Sequence, residues 1–178
     1  MAFSLFVSGR PSPSGSKTAR ARLLSLQEQL ATGKSLKTWV HDACRHADNW
    51  KRKVRNEAKF RMIDLGLSAP ISDGPLQASF LFVFERPKSH LRADGSTKPN
   101  SPRFPIGPPD VLKLSRAAED ALAGVVYWND ARIVHERIMK VYADSVDGPR
   151  PGLYLRVEEL TSKEDPILDQ FWAQIWKI

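Results

Sequence analysis

Residues 109–124 read PDVLKLSRAAEDALAG, and most of what the sequence says about architecture depends on them. Apolar side chains recur there every three or four residues, which is typical of one face of a helix. Proline suits the first helical turn, and glycine suits the position after the last. The pattern predicts a helix over residues 109–123 whose core face carries Val111, Leu114, Ala118, Ala121, Leu122 and Val125.

The opposite face of this helix is charged except at one position. Leu112 is a large apolar side chain on a face that otherwise carries Lys113, Arg116, Glu119 and Asp120. Asp110 lies at the first turn, where a carboxylate interacts favourably with the positive end of the helix dipole.

The residues after this helix predict a strand over 125–128, a turn at Asn129-Asp130 and a second strand over 131–143. If the helix and this hairpin pack together, Asp110 and Asp130 approach each other from different elements. Carboxylates without His or Cys partners suit a hard divalent cation such as Mg²⁺. The alternative is that both aspartates are simply solvated, and the spacing leaves that open.

The remaining segments predict an α+β fold in a single domain over residues 1–178. Strands are predicted over residues 3–7, 76–85 and 153–160, a helix over 18–31, one long or two shorter helices over 35–65, and an apolar helix over 165–176. Trp39 and Trp50 belong to the apolar stripe predicted for residues 35–65, which favours a place in the core over base stacking.

Residues 87–109 contain six prolines and are rich in basic residues. Proline removes backbone donors and fixes φ, so this segment is not predicted to form a regular element. Long irregular segments within a domain are commonly functional. We therefore expect a flexible basic loop that becomes ordered on an anionic ligand.

The charge of the chain points to a polyanionic partner. The 178 residues carry a net charge of +7 with a pI near 9.7. Residues 17–61 hold twelve Lys or Arg against four acids, which matches a nucleic-acid binder, although a merely solvated helix face stays as the alternative. The single cysteine, Cys44, excludes a disulfide framework. The short apolar runs and the absence of a signal-peptide pattern predict a cytoplasmic protein without a membrane span.

Several segments, taken in order, resemble the RusA-type Holliday junction resolvases of bacteria and phages. The motifs are VSGRPSPSGSK at 7–17, WKRKVR at 50–55, GPL at 74–76, RPKSH at 86–90, PDVLKL at 109–114, DALAGV at 120–125 and WNDARIV at 128–134. The match, in the family's order, extends over most of the chain. The resemblance implies a small mixed sheet packed by helices, a homodimer, and metal-dependent cleavage of four-way or branched DNA without an organic cofactor.

The resemblance also implies roles for individual residues. Asp110 and Asp130 correspond to metal-binding aspartates, and Asp120 to a further aspartate of the family pattern. Arg116 stands where the family has a catalytic lysine, and it would stabilise the charge on the phosphate without acting as a general acid. The implied catalytic set is Asp110, Arg116 and Asp130, with Mg²⁺, or else Mn²⁺, as the cation.

Three positions depart from the family pattern, and one of them is Pro108, where the family has a lysine before Pro-Asp. Leu112 stands where the family has its second aspartate, and Asn129 replaces one acid of a paired motif. We hypothesise that Glu119 or Asp120 completes the metal site. The alternative function is a catalytically weak or inactive protein of the same fold that binds junctions, and a basic module without catalysis is the third reading.

Basic side chains outside the metal site are the expected DNA contacts, because phosphate contacts need positive charge and carry no sequence readout. They are Lys17, Lys51, Arg52, Arg55, Lys88, His90, Arg92, Lys98, Arg103 and Lys113.

Overall fold

A computed structural model describes residues 2–14, 17–42, 44, 46–145 and 150–160. Six strands form within them: β1 (Ala2–Ser8), β2 (Lys17–Leu23), β3 (Leu36–Asp42), β4 (Leu76–Phe84), β5 (Ile133–Tyr142) and β6 (Gly152–Glu159). Three helices accompany them: α1 (Leu26–Thr32), α2 (Ala47–Asp64) and α3 (Val111–Leu122). Short 3₁₀ turns lie at Lys88–His90, Asp130–Arg132 and Ala143–Ser145. The α+β class is confirmed.

The main sheet is mixed, as the resemblance implied, with the strand order β1-β6-β4-β5. β6 pairs antiparallel with β1 and with β4, whereas β4 and β5 run parallel. The register of β4 and β5 shifts between Leu76, which pairs with Ile133, and Gln77, which pairs with His135. This irregularity lies at the start of β5 and decides which residues of that strand face the helices.

Helices α2 and α3 cover one face of the main sheet. Trp50, Val54 and Ala58 of α2 are buried at the spacing expected for one helix face. Leu114, Ala118 and Leu122 of α3 are buried too, and the core face predicted for residues 109–123 is confirmed at these positions. They pack with alternate residues of the strands, among them Phe3, Leu76, Phe80, Phe82, Leu153 and Val157.

The prediction for residues 17–42 was wrong except over residues 26–31, which are helical. The predicted helix over 18–31 is instead β2 followed by the short helix α1, and the first part of the region predicted as helical over 35–65 is β3, which includes Trp39. β2 and β3 pair with each other in a two-stranded sheet of their own. The alternation Ala19-Arg20-Ala21-Arg22 has the two-residue period of a strand. We call residues 17–42 the arm.

Residues 123–132 also differ from the prediction. The strand expected over 125–128 is a tight turn in which the Gly124 N–H donates to the Tyr127 carbonyl oxygen at 2.7 Å. Consequently, β5 forms no hairpin with it and pairs with β4 instead. The strands predicted over 3–7, 76–85 and 153–160 are confirmed, and the one over 131–143 begins two residues later. The helix predicted over 165–176 lies outside the described residues.

Candidate functional site

The exposed face of α3 carries the charged residues that the sequence singled out. Lys113, Arg116 and Asp120 are exposed, and Glu119 is half-buried. Leu112 lies on the same face with 68% of its surface exposed. An apolar side chain this open contributes little to the core, so the misfit seen in the sequence is a misfit in the structure as well.

Asp110 is the residue immediately before α3, and its side chain forms no capping hydrogen bond with the helix. Its carboxylate pairs instead with the Lys113 ammonium, at 3.2 Å, in an exposed position. The backbone leading to Asp110 is held by Lys140 of β5, whose ammonium donates to the carbonyl oxygens of Gly107 at 2.7 Å and Pro109 at 2.9 Å. The start of α3 is thus fixed against the second half of β5.

The other end of α3 meets the first half of β5 through two glutamates. The carboxyl groups of Glu119 and Glu136 hydrogen-bond to each other. Burial, followed by this hydrogen bond and the charge of Glu119, raises the pKa of Glu136 to about 8. One oxygen of Glu136, Oε1, is fully buried and has no hydrogen-bond partner among the described residues. Two neighbouring carboxyl groups disfavour simultaneous ionisation, so the pair holds a proton near neutral pH.

Tyr127 shows that more acids gather at this end of the helix. Burial, and then the charges of Glu119, Asp130, Glu136 and Asp120, raises the pKa of the Tyr127 hydroxyl well above its ordinary value. That hydroxyl donates to the backbone carbonyl oxygen of Glu119 at 3.1 Å. The buried tyrosine is therefore under the electrostatic influence of four carboxyl groups near this end of α3. We call Glu119, Asp120, Asp130 and Glu136 the acidic end of α3.

Within one chain, Asp110 and Asp130 lie towards opposite ends of α3. The helix has 12 residues, which corresponds to about 18 Å of axial length. Lys140, which holds the backbone before Asp110, is seven residues beyond the first residue of β5, or about 23 Å along the strand. Asp130 precedes that first residue. The expectation that the two aspartates approach each other is thus wrong within a single chain.

The acidic end of α3 offers a hard divalent cation only a few carboxylate ligands. Among the described residues, no group of three or more His, Cys, Asp or Glu side chains is arranged to hold a metal ion. Glu119 and Glu136 nevertheless form a proton-sharing pair with an unsatisfied buried oxygen, and a cation would replace that proton. Mg²⁺ commonly uses one or two carboxylates and keeps several waters, so two protein ligands are sufficient.

Two basic residues of α2 that were expected to contact DNA make contacts inside the protein. The Arg55 guanidinium donates to the carbonyl oxygens of Ala121 at 3.2 Å and Ala123 at 3.1 Å, and so caps the C-terminal end of α3. The Lys51 ammonium lies 3.8 Å from an Asp120 carboxylate oxygen. Both residues therefore hold the acidic end of α3 against α2, whereas Arg52 is exposed on the same helix.

The proline-rich segment 87–109 has a defined conformation. Arg86 donates to Asp144 at 2.5 Å and to the Pro102 carbonyl oxygen at 2.9 Å. Lys98 donates to the Ser89 carbonyl oxygen at 2.8 Å, and the Arg103 guanidinium lies over the Phe104 ring. The remaining predicted DNA contacts here are His90, half-buried with its ring edge against Tyr142, and the exposed Lys88 and Arg92. Lys17, the first predicted contact, begins β2.

Glu136 is the residue of this region that the sequence did not reveal. Alternate residues of a strand lie on opposite sides of its sheet. In β5 one set is Val134, Glu136 and Ile138, and the other is Ile133, His135 and Arg137. Both sets mix apolar and polar side chains. Only the pairing of Glu136 with the buried Ala78 of β4 places it on the helix side of the sheet. The register shift at the start of β5 sets this pairing, and single-sequence periodicity carries no signal for it.

Comparison with known proteins gives one family. The family described as Endodeoxyribonuclease RusA matches residues 17–157, which is well over half of the chain. A search of the curated proteins found no match to this chain. Across the part of the chain that the structure describes, no helix is both long and apolar enough to cross a membrane.

Proposed function

Because the chain belongs to the RusA endodeoxyribonuclease family, we propose that it resolves four-way DNA junctions by divalent-cation-dependent hydrolysis of the DNA backbone. The observation that carries the metal-dependent part is the carboxyl pair of Glu119 and Glu136, with its unsatisfied buried oxygen. An unsatisfied acceptor beside a second carboxyl group supports a cation as the missing partner.

We propose Mg²⁺ as the cation, with Mn²⁺ as a substitute, held at the acidic end of α3. Glu119 and Glu136 would be its ligands, and Asp130 and Asp120 would bind its water shell. When bound, such an ion supplies Lewis-acid stabilisation of the phosphate and lowers the pKa of water. Asp110 lies too far along α3 to share this ion within one chain. In the proposal its carboxylate holds the Lys113 ammonium, which contacts the DNA backbone.

Arg116 is placed to assist at the phosphate. It precedes Glu119 and Asp120 by three and four residues, so its side chain lies on the same side of α3. It is exposed and reaches outward from the helix. A guanidinium presents fixed, paired donors to phosphate oxygens, so Arg116 would bind and orient the scissile phosphate and stabilise its developing charge.

Exposed cations around α3 would contact the duplexes of the junction. Arg52 on α2, Lys88 and Arg92 in the proline-rich segment, and Lys113 on α3 are exposed. His90, Lys98, Arg103 and Lys17 complete the proposed contacts, while Lys51 and Arg55 support α3 from within. Phosphate contacts of this kind make the affinity depend strongly on salt concentration.

We propose that the protein acts as a homodimer, because a junction has two-fold symmetry and needs a nick in each of two strands. The arm supports a contact between copies, because it exposes Leu23, Leu26, Leu30 and Leu36. Several large apolar side chains exposed on one segment are typical of an interaction surface. Light scattering after size-exclusion chromatography should give twice the mass of the 20.0 kDa chain.

The deciding experiment is cleavage of an immobile four-way junction, with a matched linear duplex as the control substrate. Paired nicks on the junction, present with Mg²⁺ or Mn²⁺ and absent with EDTA, are expected. Glu119→Gln and Glu136→Gln should each abolish cleavage but keep junction binding, while Glu57→Gln on α2 should change neither. Cleavage that survives both substitutions would remove the metal ligands from the proposal.

One observation favours a second candidate, a junction-binding protein of this fold with weak or no cleavage. Leu112 occupies a family carboxylate position and is 68% exposed on the face that meets DNA. This candidate predicts tight junction binding without nicks in either metal. Leu112→Asp would then raise cleavage from that baseline.

A further inference from the structure

A cavity among the described residues lies beside the start of α3, away from the acidic end. Its volume is about 730 Å³. The ends of β4 and β5, the turn at Gly9-Arg10 and the proline-rich segment 87–109 enclose it. Its wall includes Pro109, the residue before Asp110. We call this cavity the loop pocket.

Two half-buried cations keep the loop pocket open by holding its walls. Arg86 donates to Asp144 and to the Pro102 carbonyl oxygen, and its guanidinium stacks 4.3 Å from the centre of the Tyr142 ring. Lys140 ties down the carbonyl oxygens of Gly107 and Pro109. Because these contacts lie within the protein, the pocket exists before any ligand binds.

The cations at the rim of the loop pocket differ from Arg86 and Lys140 in their exposure and in their contacts. Arg10 and Lys88 are exposed and form no ion pair among the described residues. His90, further in, has a buried Nδ1 without a hydrogen-bond partner in the same part of the chain. Glu85 is the sole acidic side chain among the lining residues that the structure describes. The pocket is therefore built for an anionic ligand.

The size and walls of the loop pocket select a small planar group rather than a duplex. Ligand cavities of about 300–1,000 Å³ hold molecules the size of one nucleotide, and a duplex is far wider. Pro102, Pro105 and Pro108 supply flat apolar walls. Ile106 belongs to the lining and is 81% exposed, so it projects from the rim into solvent.

We propose that the loop pocket receives one nucleotide extruded from the branch point of the bound junction, an inference that rests on the proposed function. Arg10 and Lys88 contact the phosphates on either side of this nucleotide, and the proline walls contact its base. Ile106 fills the gap left in the base stack, as apolar wedges do in proteins that open base steps. Bases at a branch point lose stacking partners easily, which lowers the cost of extrusion.

The test uses a four-way junction with 2-aminopurine at the branch point, in EDTA, with anisotropy of a distant dye reporting binding. The fluorescence of 2-aminopurine rises when the base leaves the stack. Binding of the unaltered protein should raise it several-fold, and Ile106→Ala should reduce that rise to about half or less. Ile63→Ala, which removes an apolar side chain that is 71% exposed on α2, is the matched control and should leave the rise intact.

A second measurement reports the phosphate contacts. Replacing both Arg10 and Lys88 with alanine should reduce the slope of log affinity against log salt by about 1.8, since each phosphate contact contributes about 0.9. Thermal melting of each variant confirms that it is folded. Junction binding without a fluorescence change, or a full change in Ile106→Ala, overturns the pocket proposal alone. If the junction does not bind at all, both this proposal and the proposed function fail.

Discussion

The carboxyl pair between α3 and β5 makes the stability of this protein depend on pH, and Glu136→Gln should remove most of that dependence. The pKa of Glu136 is about 8 in the folded chain and returns to the ordinary 4.5 on unfolding. Between these values the folded chain binds a proton that the unfolded chain has lost. Stability from this group is therefore complete below pH 4.5 and is lost as the pH rises through about 8.

The size of the effect follows from that difference in pKa, reduced for exposure. A fully buried carboxyl with these two values would contribute about 5 kcal/mol. Glu136 is only half-buried, and water screens its repulsion with Glu119, so about 1–2 kcal/mol is the reasonable expectation. Glutamine keeps a hydrogen-bond donor for Glu119 and cannot ionise. Relative to the unaltered protein, the variant should thus gain about 1–2 kcal/mol above pH 8 and nothing near pH 4.5.

Thermal unfolding from pH 4.5 to pH 9, without divalent cations, measures the difference between the two proteins. For a chain of this size the gain corresponds to a Tm about 2–8 °C higher for Glu136→Gln at pH 9. Glu57→Gln, on α2, is the control for removing a negative charge and should show a difference that does not change between pH 5 and pH 8. A Glu136→Gln difference that is equally flat across this range would refute the proton-sharing pair.

Four further predictions follow from single contacts. Leu114→Ala should lower stability by about 2–5 kcal/mol in denaturant titrations, whereas Leu112→Ala, two residues away but 68% exposed, should change it by no more than about 0.5 kcal/mol. Arg55→Ala should cost about 1–3 kcal/mol because two carbonyl oxygens at the end of α3 lose their donor; a loss no larger than that of Arg52→Ala, measured in parallel, would contradict this. Gly152→Ala should unfold the chain or lower its Tm sharply, because φ is +155° there and a methyl group would meet a backbone oxygen of β1. Leu112→Asp should raise metal-dependent cleavage if a missing ligand limits the reaction, and unchanged cleavage would mean that the cation is held elsewhere.

The sequence predicts helices and strands well where their apolar residues follow one period and pack against a core. Helix α3 follows this rule, because its buried residues recur at three and four positions and bury their face against the sheet. The arm does not follow this rule, because Leu23, Leu26 and Leu30 have helical spacing and yet are exposed. Their apolar character therefore reflects something other than packing within this chain, and helical periodicity misleads where no core exists to enforce it.

The residues that α3 contributes to the candidate site could be predicted from the sequence, but the residues that pack beside them could not. Arg116 and Asp120 could be assigned to one exposed helix face, and Asp110 to its first turn, because α3 is regular. Whether that face meets Asp130 at its start or at its end depends on the direction of β5 relative to α3. That direction follows from parallel pairing with β4, a contact between residues more than fifty positions apart. Local patterns do not encode such a pairing.

The two ends of α3 together limit how a cation can be bound. The family resemblance predicts a carboxylate near the start of the helix, where this chain has Leu112. Glu119 lies seven residues later, about 10 Å along the axis. Glu119 therefore cannot replace that carboxylate beside Asp110. Glu136 joins Glu119 at the far end, where the pair lacks a partner for one buried oxygen. If the proposed activity depends on these glutamates, then Asp110→Asn should weaken cleavage less than Glu136→Gln does. The reverse order would assign the cation to the start of the helix and require its remaining ligands to come from a second copy of the chain.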